Sequence, residues 1–356
     1  MRKNLFKAII FILIFSALFW LAQELLRYPW KADEDTYIKM VSYSEEPAGT
    51  IDVLYFGTSE MYYDVVPVIV YEKTGITGMN LACTRKSAMT AYYQLKEALE
   101  YQTPKLVVCD FSALYEDETP AEYEQIYRKI TDSLTKRKLR YELIGAIKKA
   151  WPEESVLNYV FPLLRYHSRW STMTWADLKR QGEIVPYEQY QRGANFSIQK
   201  NEEIYEIDPG WWSVDEEKVR DIAPVQAEYY DKFISLCQEN GIEVAALMLP
   251  RFYEYDTSKK VTNWEKTKAF LEERNVKIID EYQYEEIERM QLDQYQDYYD
   301  RGHANVSGAM KIMGDLSEKL QEAYKLPDHR GDAAYAAWDQ NVIQFHEKYD
   351  DFLAVK

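Results

Sequence analysis

The hydrophobic pattern separates the N-terminus from the rest of the chain. Residues 1–7 carry three positive charges, whereas residues 8–22 carry no charge and are almost wholly apolar. Counted from Leu5 to Leu26, the apolar segment has 22 residues. As a helix it would be ~33 Å long at ~1.5 Å per residue, which is enough to cross a bilayer. The pattern therefore predicts a transmembrane helix within residues 1–27.

Two interpretations of this segment stay open. It is either an uncleaved signal anchor or a signal peptide that is removed after export. The sequence WLAQELL, which follows the apolar run, has no small-x-small cleavage site, and this favours the anchor. Basic residues precede the helix, and the positive-inside rule places that end in the cytoplasm. We therefore expect a single-pass protein of the cell membrane whose large domain is extracytoplasmic.

Beyond the N-terminus, short apolar runs alternate with segments of helical character. The runs that predict strands are 51–57, 76–82, 105–111, 242–249 and 276–279. Helices are predicted at about 87–102, 224–240, 263–274 and 307–324. This alternation is typical of a parallel sheet that helices cover on both faces. It predicts an α/β domain over residues 49–324 with about five parallel strands.

Three segments fall outside this alternation. Residues 28–48 are acidic, contain proline and are interpreted as a linker. Residues 112–222 are rich in Tyr, Trp and charge, with helical stretches such as 121–149, and are interpreted as a mainly helical insertion that shapes the substrate cleft. The tail, residues 325–356, is expected to pack as a helix on the surface of the domain.

Composition and charge exclude several classes of protein. The chain has 43 Lys and Arg against 59 Asp and Glu, a formal net charge of −16, which argues against a nucleic-acid partner. The cysteines form no disulfide framework and no CxxC pair, and the histidines have no metal-binding spacing. These residues are Cys83, Cys109, Cys237, His167, His303, His329 and His346. We therefore expect no structural zinc site.

Two short motifs could carry nucleophilic chemistry. Ser59 lies in GTSEMYYD directly after the first predicted strand, and Asp300 and His303 lie in DYYDRGHANVSGA before the last helix. A carboxylate three residues before a histidine can hold the imidazole Nδ1 and leave Nε2 as a base. Ser59 could instead be a turn or capping residue, and Asp300 could instead cap the helix. Both motifs are expected at the carboxyl edge of the sheet, where α/β folds bind ligands.

Weaker candidates lie at the same edge or in the insertion. Asp110 ends the third predicted strand and Arg251 follows the fourth, where Arg251 could bind an anionic group. His167 and Arg169, in RYHSRW, could line the cleft and hold a sugar or an anionic donor. For all four residues a structural or surface role is an equal or better interpretation.

The combination of motifs resembles a known superfamily. A GxS block after the first strand with a DxxH before the last helix resembles the SGNH (GDSL-like) hydrolases. The DxxDxxHxN pattern formed by Asp297, Asp300, His303 and Asn305 is similar to a membrane-anchored cell-envelope branch, which includes SGNH-like acyltransferases and proteins of teichoic acid D-alanylation. The segment MNLACTRKSAMTAYYQLKEAL resembles the second block of that branch. The resemblance covers roughly residues 50–110 and 240–322.

This resemblance implies a fold and a set of roles. The fold would be a flavodoxin-like three-layer α/β/α sandwich that needs no metal or cofactor. Ser59 would attack an acyl ester, His303 would move the proton and Asp300 would orient His303. Asp297 and Asn305 complete the motif and are carried over as candidates for substrate binding.

The chain also departs from the superfamily pattern. No GxND block follows the third strand, where the sequence is CDFSALYED, and the second-block glycine is replaced near Ala82 and Cys83. The oxyanion donors would then be backbone N–H groups at Ser59 and its neighbours, or the side chains of Arg85 or Lys86. Each such donor is worth ~10²–10³ in rate.

Two functions follow as hypotheses. The first is a serine esterase or O-acyltransferase acting on O-acyl groups of an envelope polysaccharide or teichoic-acid-like polymer, with a membrane-bound acyl-donor protein as a further partner. The second is a catalytically weak SGNH-like protein that binds envelope glycan or a membrane partner. The Ser59, His303 and Asp300 set favours the first, and the absence of the Asn block favours the second.

Overall fold

The structure is a computed structural model that divides into two compact units. It describes residues 2–26, 35–116, 119–175, 191–202, 220–250, 259–300 and 302–354. The first unit joins Met1–Ile38 with Thr119–Pro186, and the second joins Lys39–Glu118 with Tyr187–Lys356.

Within the described residues, the second unit is built on a sheet of five parallel strands. These are β1 (Val53–Phe56), β2 (Gly78–Asn80), β3 (Leu106–Cys109), β4 (Glu243–Met248) and β5 (Lys277–Asp280). Their order is β2-β1-β3-β4-β5, the flavodoxin-like order, in which ligands bind at the carboxyl ends of β1 and β3. The predicted fold class and the five predicted strands are confirmed.

The helices alternate with these strands and also form most of the first unit. In chain order they are α1 (Arg2–Leu26), α2 (Asp35–Glu45), α3 (Ser59–Asp64), α4 (Pro67–Thr74), α5 (Ala88–Ala98), α6 (Glu124–Ser133), α7 (Arg137–Ala150), α8 (Leu157–Val160), α9 (Pro162–Tyr166), α10 (Pro224–Glu239), α11 (Lys259–Glu272), α12 (Tyr284–Arg289), α13 (Val306–Ala323) and α14 (Ala336–Ala354). Short 3₁₀ helices lie at Ser112–Tyr115, His167–Ser171 and Ala333–Tyr335.

Successive residues of a strand point to opposite faces of the sheet, and all residues of β1 are buried. Both faces of the sheet are therefore covered. Val53 and Tyr55 of β1 pack in a core with residues of α4, α13 and α14. Phe56 points to the other face, where its ring meets that of Phe233 in α10 edge-on, with centroids 5.3 Å apart. The sheet is therefore the middle layer of a three-layer sandwich whose carboxyl edge carries the loops.

The first unit contains α1 and the helices from α6 to α9. Arg2–Gln23 of α1 is 22 residues long and apolar enough to cross a membrane, and its most apolar stretch is not buried inside the protein. Length and composition thus agree with the predicted transmembrane helix. A signal sequence meets the same criterion, so retention of α1 as an anchor stays a prediction.

The linker predicted over residues 28–48 is partly wrong. Asp35–Glu45 forms α2, which buries Met40 and Tyr43, and the Tyr43 hydroxyl donates to the Gln102 carbonyl at 3.3 Å. The acidic composition concealed these few apolar positions. Residues 28–34 lie outside the described residues.

The insertion predicted over residues 112–222 does not behave as one block. Thr119–Pro186 belongs to the first unit, whereas residues 112–116 and 191–202 belong to the α/β unit. The C-terminal helix α14 buries Trp338 and Phe345 on that unit. The middle part of the predicted insertion therefore belongs to the first unit, and both of its ends belong to the α/β unit.

Candidate active site

Ser59 begins α3 at the carboxyl end of β1, after a turn that only glycine can make. Gly57 has a φ of +148°, and a Cβ built on it would lie 2.4 Å from Asp110 Oδ2 and 2.5 Å from Met61 Cγ. A larger residue would therefore displace both neighbours. This turn places Ser59, which is half-buried, as the first residue of the helix.

The buried Asp110 carboxylate holds the turn before Ser59 in place. Its Oδ2 accepts hydrogen bonds from the Thr58 amide at 2.7 Å and the Thr58 hydroxyl at 2.9 Å. Its Oδ1 accepts from the amide and hydroxyl of Ser112, both at 3.0 Å. Asp110 thus links the loops that follow β1 and β3, which are adjacent strands. From the sequence, Asp110 was only a weak candidate for a residue near the substrate cleft.

The structure brings His303 and Asp300 to Ser59. His303 Nε2 lies 2.8 Å from Ser59 Oγ, and Nδ1 lies 2.8 Å from Asp300 Oδ2 and 2.9 Å from Oδ1. The amides of Gly302 and His303 also donate to Asp300 Oδ1, at 2.8 and 2.9 Å. In the tautomer that directs its Nδ1 proton at Asp300, the ring has Nε2 free to accept a hydrogen bond from the Ser59 hydroxyl.

The electrostatics of Asp300 favour its ionised form. Burial alone would raise the pKa of this carboxyl, but the hydrogen bonds from the His303 ring and the Gly302 amide outweigh burial and lower the pKa. Asp300 therefore remains a carboxylate that can stabilise a positive charge on His303.

Two tyrosines fix the plane of the His303 ring. Tyr299 stacks on it with centroids 5.4 Å apart and an angle of 14°, and Tyr63 meets it edge-on at 5.3 Å. Tyr63 comes from α3 and Tyr299 from the DxxH loop, and their own rings lie 5.0 Å apart. Burial, together with a hydrogen bond that the Tyr299 hydroxyl donates to Tyr63, raises the pKa of Tyr299. The sequence analysis missed both residues, because tyrosine is abundant throughout the chain.

The outer residues of the DxxDxxHxN motif support the loop. Asn305 caps α13, accepting from the amides of Ser307 and Gly308, and its Nδ2 donates to the Gln296 carbonyl at 2.7 Å. Both Asn305 and Asp297 are fully buried.

Asp297 is held by two further side chains. It accepts from the Ser307 hydroxyl at 2.7 Å and from the Lys311 ammonium at 2.6 Å. Because the polar atoms of Asp297 and Asn305 are engaged inside the protein, their geometry fits a structural role better than the predicted substrate contact.

Residues 191–202 form a strap that sequence reasoning assigned to the insertion. The Asn195 amide donates to the Tyr62 carbonyl in α3 at 2.7 Å, and the Asn201 amide donates to the Tyr298 carbonyl at 2.7 Å. The strap thus joins the helix that carries Ser59 to the loop that carries His303. Its sequence has neither a helical nor a strand period, so nothing in the pattern indicated this position.

Lys86 and Arg85 occupy different environments. The Lys86 ammonium is buried and donates to the Leu81 carbonyl and to Gln94 Oε1, and burial lowers its pKa. These partners account for its charge inside the protein, which argues against the predicted oxyanion contact. Arg85 is exposed in the loop after β2, with a φ of +49°.

Three further candidates, His167, Arg169 and Arg251, stay predictions. His167 and Arg169 belong to the first unit, so their contact with substrate stays a prediction. Arg251 lies outside the described residues.

Within the described residues, one group of carboxylates is close enough to hold a cation. Its members are more than two hundred positions from Ser59 in the sequence. Glu281, Glu286 and Asp315 approach one another within 4.8 Å. The Lys319 ammonium lies 2.8 Å from both glutamates and 3.0 Å from Asp315, and Arg289 also contacts the group. These side chains already supply positive charge, and the group is a partly buried ion-pair network.

Comparisons with known proteins give distant structural matches without a match in sequence. No protein-family model matches the chain, and no curated protein matches it in sequence. Among solved structures, it is similar to a "putative acylhydrolase" from Bacteroides fragilis, with 10% sequence identity and a TM-score of 0.37. The match covers 80% of this chain and 94% of that one. A likeness at this level does not transfer an activity.

Proposed function

We propose that the protein is a membrane-anchored, extracytoplasmic serine esterase or O-acyltransferase of the SGNH type. The observation that carries the proposal is the chain of contacts from Ser59 Oγ to His303 Nε2, 2.8 Å, and from His303 Nδ1 to Asp300, also 2.8 Å. A serine, a base and an orienting carboxylate in this order are the parts of an acyl-transfer triad. The resemblance of the motifs to SGNH proteins supports the same conclusion.

The proposed reaction has two steps. Ser59 Oγ attacks the carbonyl carbon of an ester while its proton passes to His303 Nε2, and the same proton then leaves with the departing alkoxide. In the second step His303 takes a proton from water or from an acceptor hydroxyl, which attacks the acyl-serine and releases Ser59. Ionised Asp300 stabilises the imidazolium in both steps.

The oxyanion would be held by backbone groups at Ser59. The Thr58 amide is engaged by Asp110, and the Cys83 amide donates to the Gly57 carbonyl at 3.1 Å. The Ser59 amide lies in the first turn of α3, where amides have no partner within the helix, so it is the donor that this loop offers. A single backbone donor would give a slower enzyme than one with a complete hole.

The proposed substrate is an O-acyl group on an envelope polysaccharide or a teichoic-acid-like polymer, with a membrane-bound protein as acyl donor. Its support is the expected extracytoplasmic location together with the resemblance to the cell-envelope branch. The second candidate function, binding of envelope glycan or a membrane partner with little catalysis, is favoured by the missing Asn block and by the internal engagement of Lys86.

Hydrolysis of p-nitrophenyl acetate by the purified full chain separates the two functions. We expect Ser59→Ala and His303→Ala each to lower kcat by ~10³-fold or more, because triad members act as a unit. Asp300→Asn should lower kcat by ~10²-fold or more through loss of ring orientation. Ser155→Ala, an exposed serine, is the control and should retain full activity. Equal hydrolysis by Ser59→Ala and the wild type would favour the binding function.

A further inference from the structure

The part of the first unit that packs on α1 has an unusual surface. Residues 157–175, which comprise α8, α9 and the following 3₁₀ helix, leave large apolar side chains in solvent. The exposed fractions are 56% for Leu157, 52% for Leu164, 73% for Trp170 and 83% for Trp175. A cluster of this kind in a protein with an ample core marks an interaction site. We name residues 157–175 the interfacial segment.

The interfacial segment is fixed to the last two turns of α1. The Phe161 and Phe19 rings lie 6.1 Å apart, and the Leu163 amide donates to Gln23 Oε1 at 2.5 Å. The Arg169 guanidinium donates to the Leu26 carbonyl, at the end of the helix, at 3.1 Å. These contacts explain why Gln23 is buried, whereas residues 2–21 of α1 are exposed.

The contacts set the depth of the segment along the helix. Phe19 and Leu26 are seven residues apart, which corresponds to ~10 Å at ~1.5 Å per residue. Interfacial apolar faces sit ~5–10 Å into the boundary between headgroups and acyl chains. If α1 leaves the hydrocarbon near Leu26, Phe161, which contacts Phe19, lies at the depth of an interfacial apolar face. Arg169, which contacts Leu26, then stays at the headgroup level.

The charge of this region fits a lipid surface. Residues 119–175 contain ten Lys and Arg against six Asp and Glu, a net charge of +4 in a chain whose net charge is −16. The basic residues are thus concentrated in the unit that carries α1. Tryptophans beside basic side chains are characteristic of the membrane interface.

We infer that the interfacial segment lies in the headgroup region of the bilayer that α1 spans, with Leu164 and Trp170 inserted. The inference rests on the membrane anchoring included in the proposed function. The occupant of this apolar surface is lipid, because the surface is continuous with the lipid-facing helix and lies at its end. Such a contact would give the first unit a second attachment to the membrane beside α1.

Labelling of introduced cysteines tests the inference. The native cysteines are buried, so a nitroxide label attached to Leu164→Cys, Trp170→Cys or Ile343→Cys reports on one site. Ile343, in α14, is 48% exposed and matches Leu164 at 52%. The full chain is reconstituted in vesicles of equal parts phosphatidylcholine and phosphatidylglycerol, and collision of the label with water-soluble nickel chelate is measured by power saturation.

We expect the collision rate with the chelate to be at least about twofold lower for the labels at Leu164→Cys and Trp170→Cys than for the label at Ile343→Cys. We expect their collision rate with oxygen to be higher than at Ile343→Cys. Equal collision rates at the three sites would overturn the inference and leave a protein partner as the occupant. A label at Leu13→Cys tests the anchor itself. If that label is shielded while Leu164→Cys is in water, only the inference fails, and if both are in water, the anchoring fails too.

Discussion

Asp110 is the residue on which the position of Ser59 depends most directly. Both of its oxygens accept two hydrogen bonds, one pair from Thr58 and one pair from Ser112. An amide in its place would present N–H donors to one of these pairs. The sequence shows directly that Asp110 follows β3. Its hydrogen bonds with Thr58 and Ser112 could be identified only from the structure.

We predict that Asp110→Asn costs about 2 kcal/mol or more in unfolding free energy, because a buried amide donor would face the donors of Thr58 or Ser112. Esterase activity should fall as well, since the turn before Ser59 shifts. Denaturant unfolding and ester hydrolysis measure the two effects. Asp351→Asn, at an exposed site in α14, is the control and should change neither quantity.

Glu281 gives the second prediction at the residue scale. This carboxyl is fully buried beside Asp315, and burial raises the pKa of Glu281 to about 8, although Lys319 lies 2.8 Å away. Between its ordinary pKa and this raised value, the folded protein holds a proton that the unfolded chain releases. We therefore predict that the contribution of Glu281 to stability falls as pH rises from about 5 to about 8.

The variant Glu281→Gln should flatten this dependence, because glutamine carries no titrating proton. Thermal unfolding of the full chain in detergent micelles at about pH 5 and about pH 8 measures it. Glu318→Gln is the control, because Glu318 is exposed and precedes Lys319 in the sequence. It should keep the wild-type dependence of stability on pH. An unchanged slope in Glu281→Gln would assign the pH dependence to other groups.

At the scale of elements, the strap of residues 191–202 connects the two halves of the candidate site. It passes β2 closely: a Cβ on Gly193, which has a φ of +86°, would lie 1.9 Å from the Asn80 carbonyl oxygen. Asn80 in turn donates to the Met61 and Val65 carbonyls of the segment that begins at Ser59. The strap therefore has little freedom to move without moving α3.

We predict that Gly193→Ala lowers both stability and esterase activity, because the new methyl group must displace the strap or β2. Gly331→Ala is a matched control: Gly331 has a φ of +79°, and a Cβ there meets no atom within 4 Å. Gly331→Ala should therefore lower the unfolding free energy only through the unfavourable backbone conformation, by about 1 kcal/mol. Equal losses in the two variants, measured by unfolding and hydrolysis, would contradict a role for the strap.

The sequence predicted the elements that follow simple periods. Strands β1 and β3 to β5 are apolar runs bounded by turn residues, and the parallel order follows from their alternation with helices. Ser59, Asp300 and His303 could be paired because strand ends in such a sheet share one edge. The strap could not be predicted, since it follows no helical or strand period and its bonds to Tyr62 and Tyr298 are made by backbone groups. Helix α2 was missed because its apolar positions are few and its neighbours are acidic.

At the scale of the whole molecule, charge and hydrophobicity are distributed unevenly along the chain. The basic N-terminus, the apolar α1 and the net positive residues 119–175 belong to the first unit, whereas the chain as a whole is acidic. This distribution agrees with a first unit at the membrane and an α/β unit that carries the candidate site. It could be recognised in the sequence only after the structure had assigned residues 119–175 to the same unit as α1.

We predict that protease added to intact cells or spheroplasts degrades the large domain, because the positive-inside rule places residues 28–356 outside. Immunodetection of the C-terminal part measures the loss, with a cytoplasmic protein as the protection control. The mass of the purified chain also distinguishes an anchor, which retains the N-terminal residues, from a cleaved signal peptide. Full protection of the domain would contradict the topology.

The central claim is that Ser59 is an activated nucleophile. Reaction with a fluorophosphonate probe, followed by peptide mass spectrometry, tests it without knowledge of the substrate. We expect one adduct on the peptide that contains Ser59 in the wild type, a strong loss of labelling in His303→Ala, and no adduct at this site in Ser59→Ala. Labelling of Ser59→Ala at the wild-type level, or a wild type that does not react while folded, would contradict it.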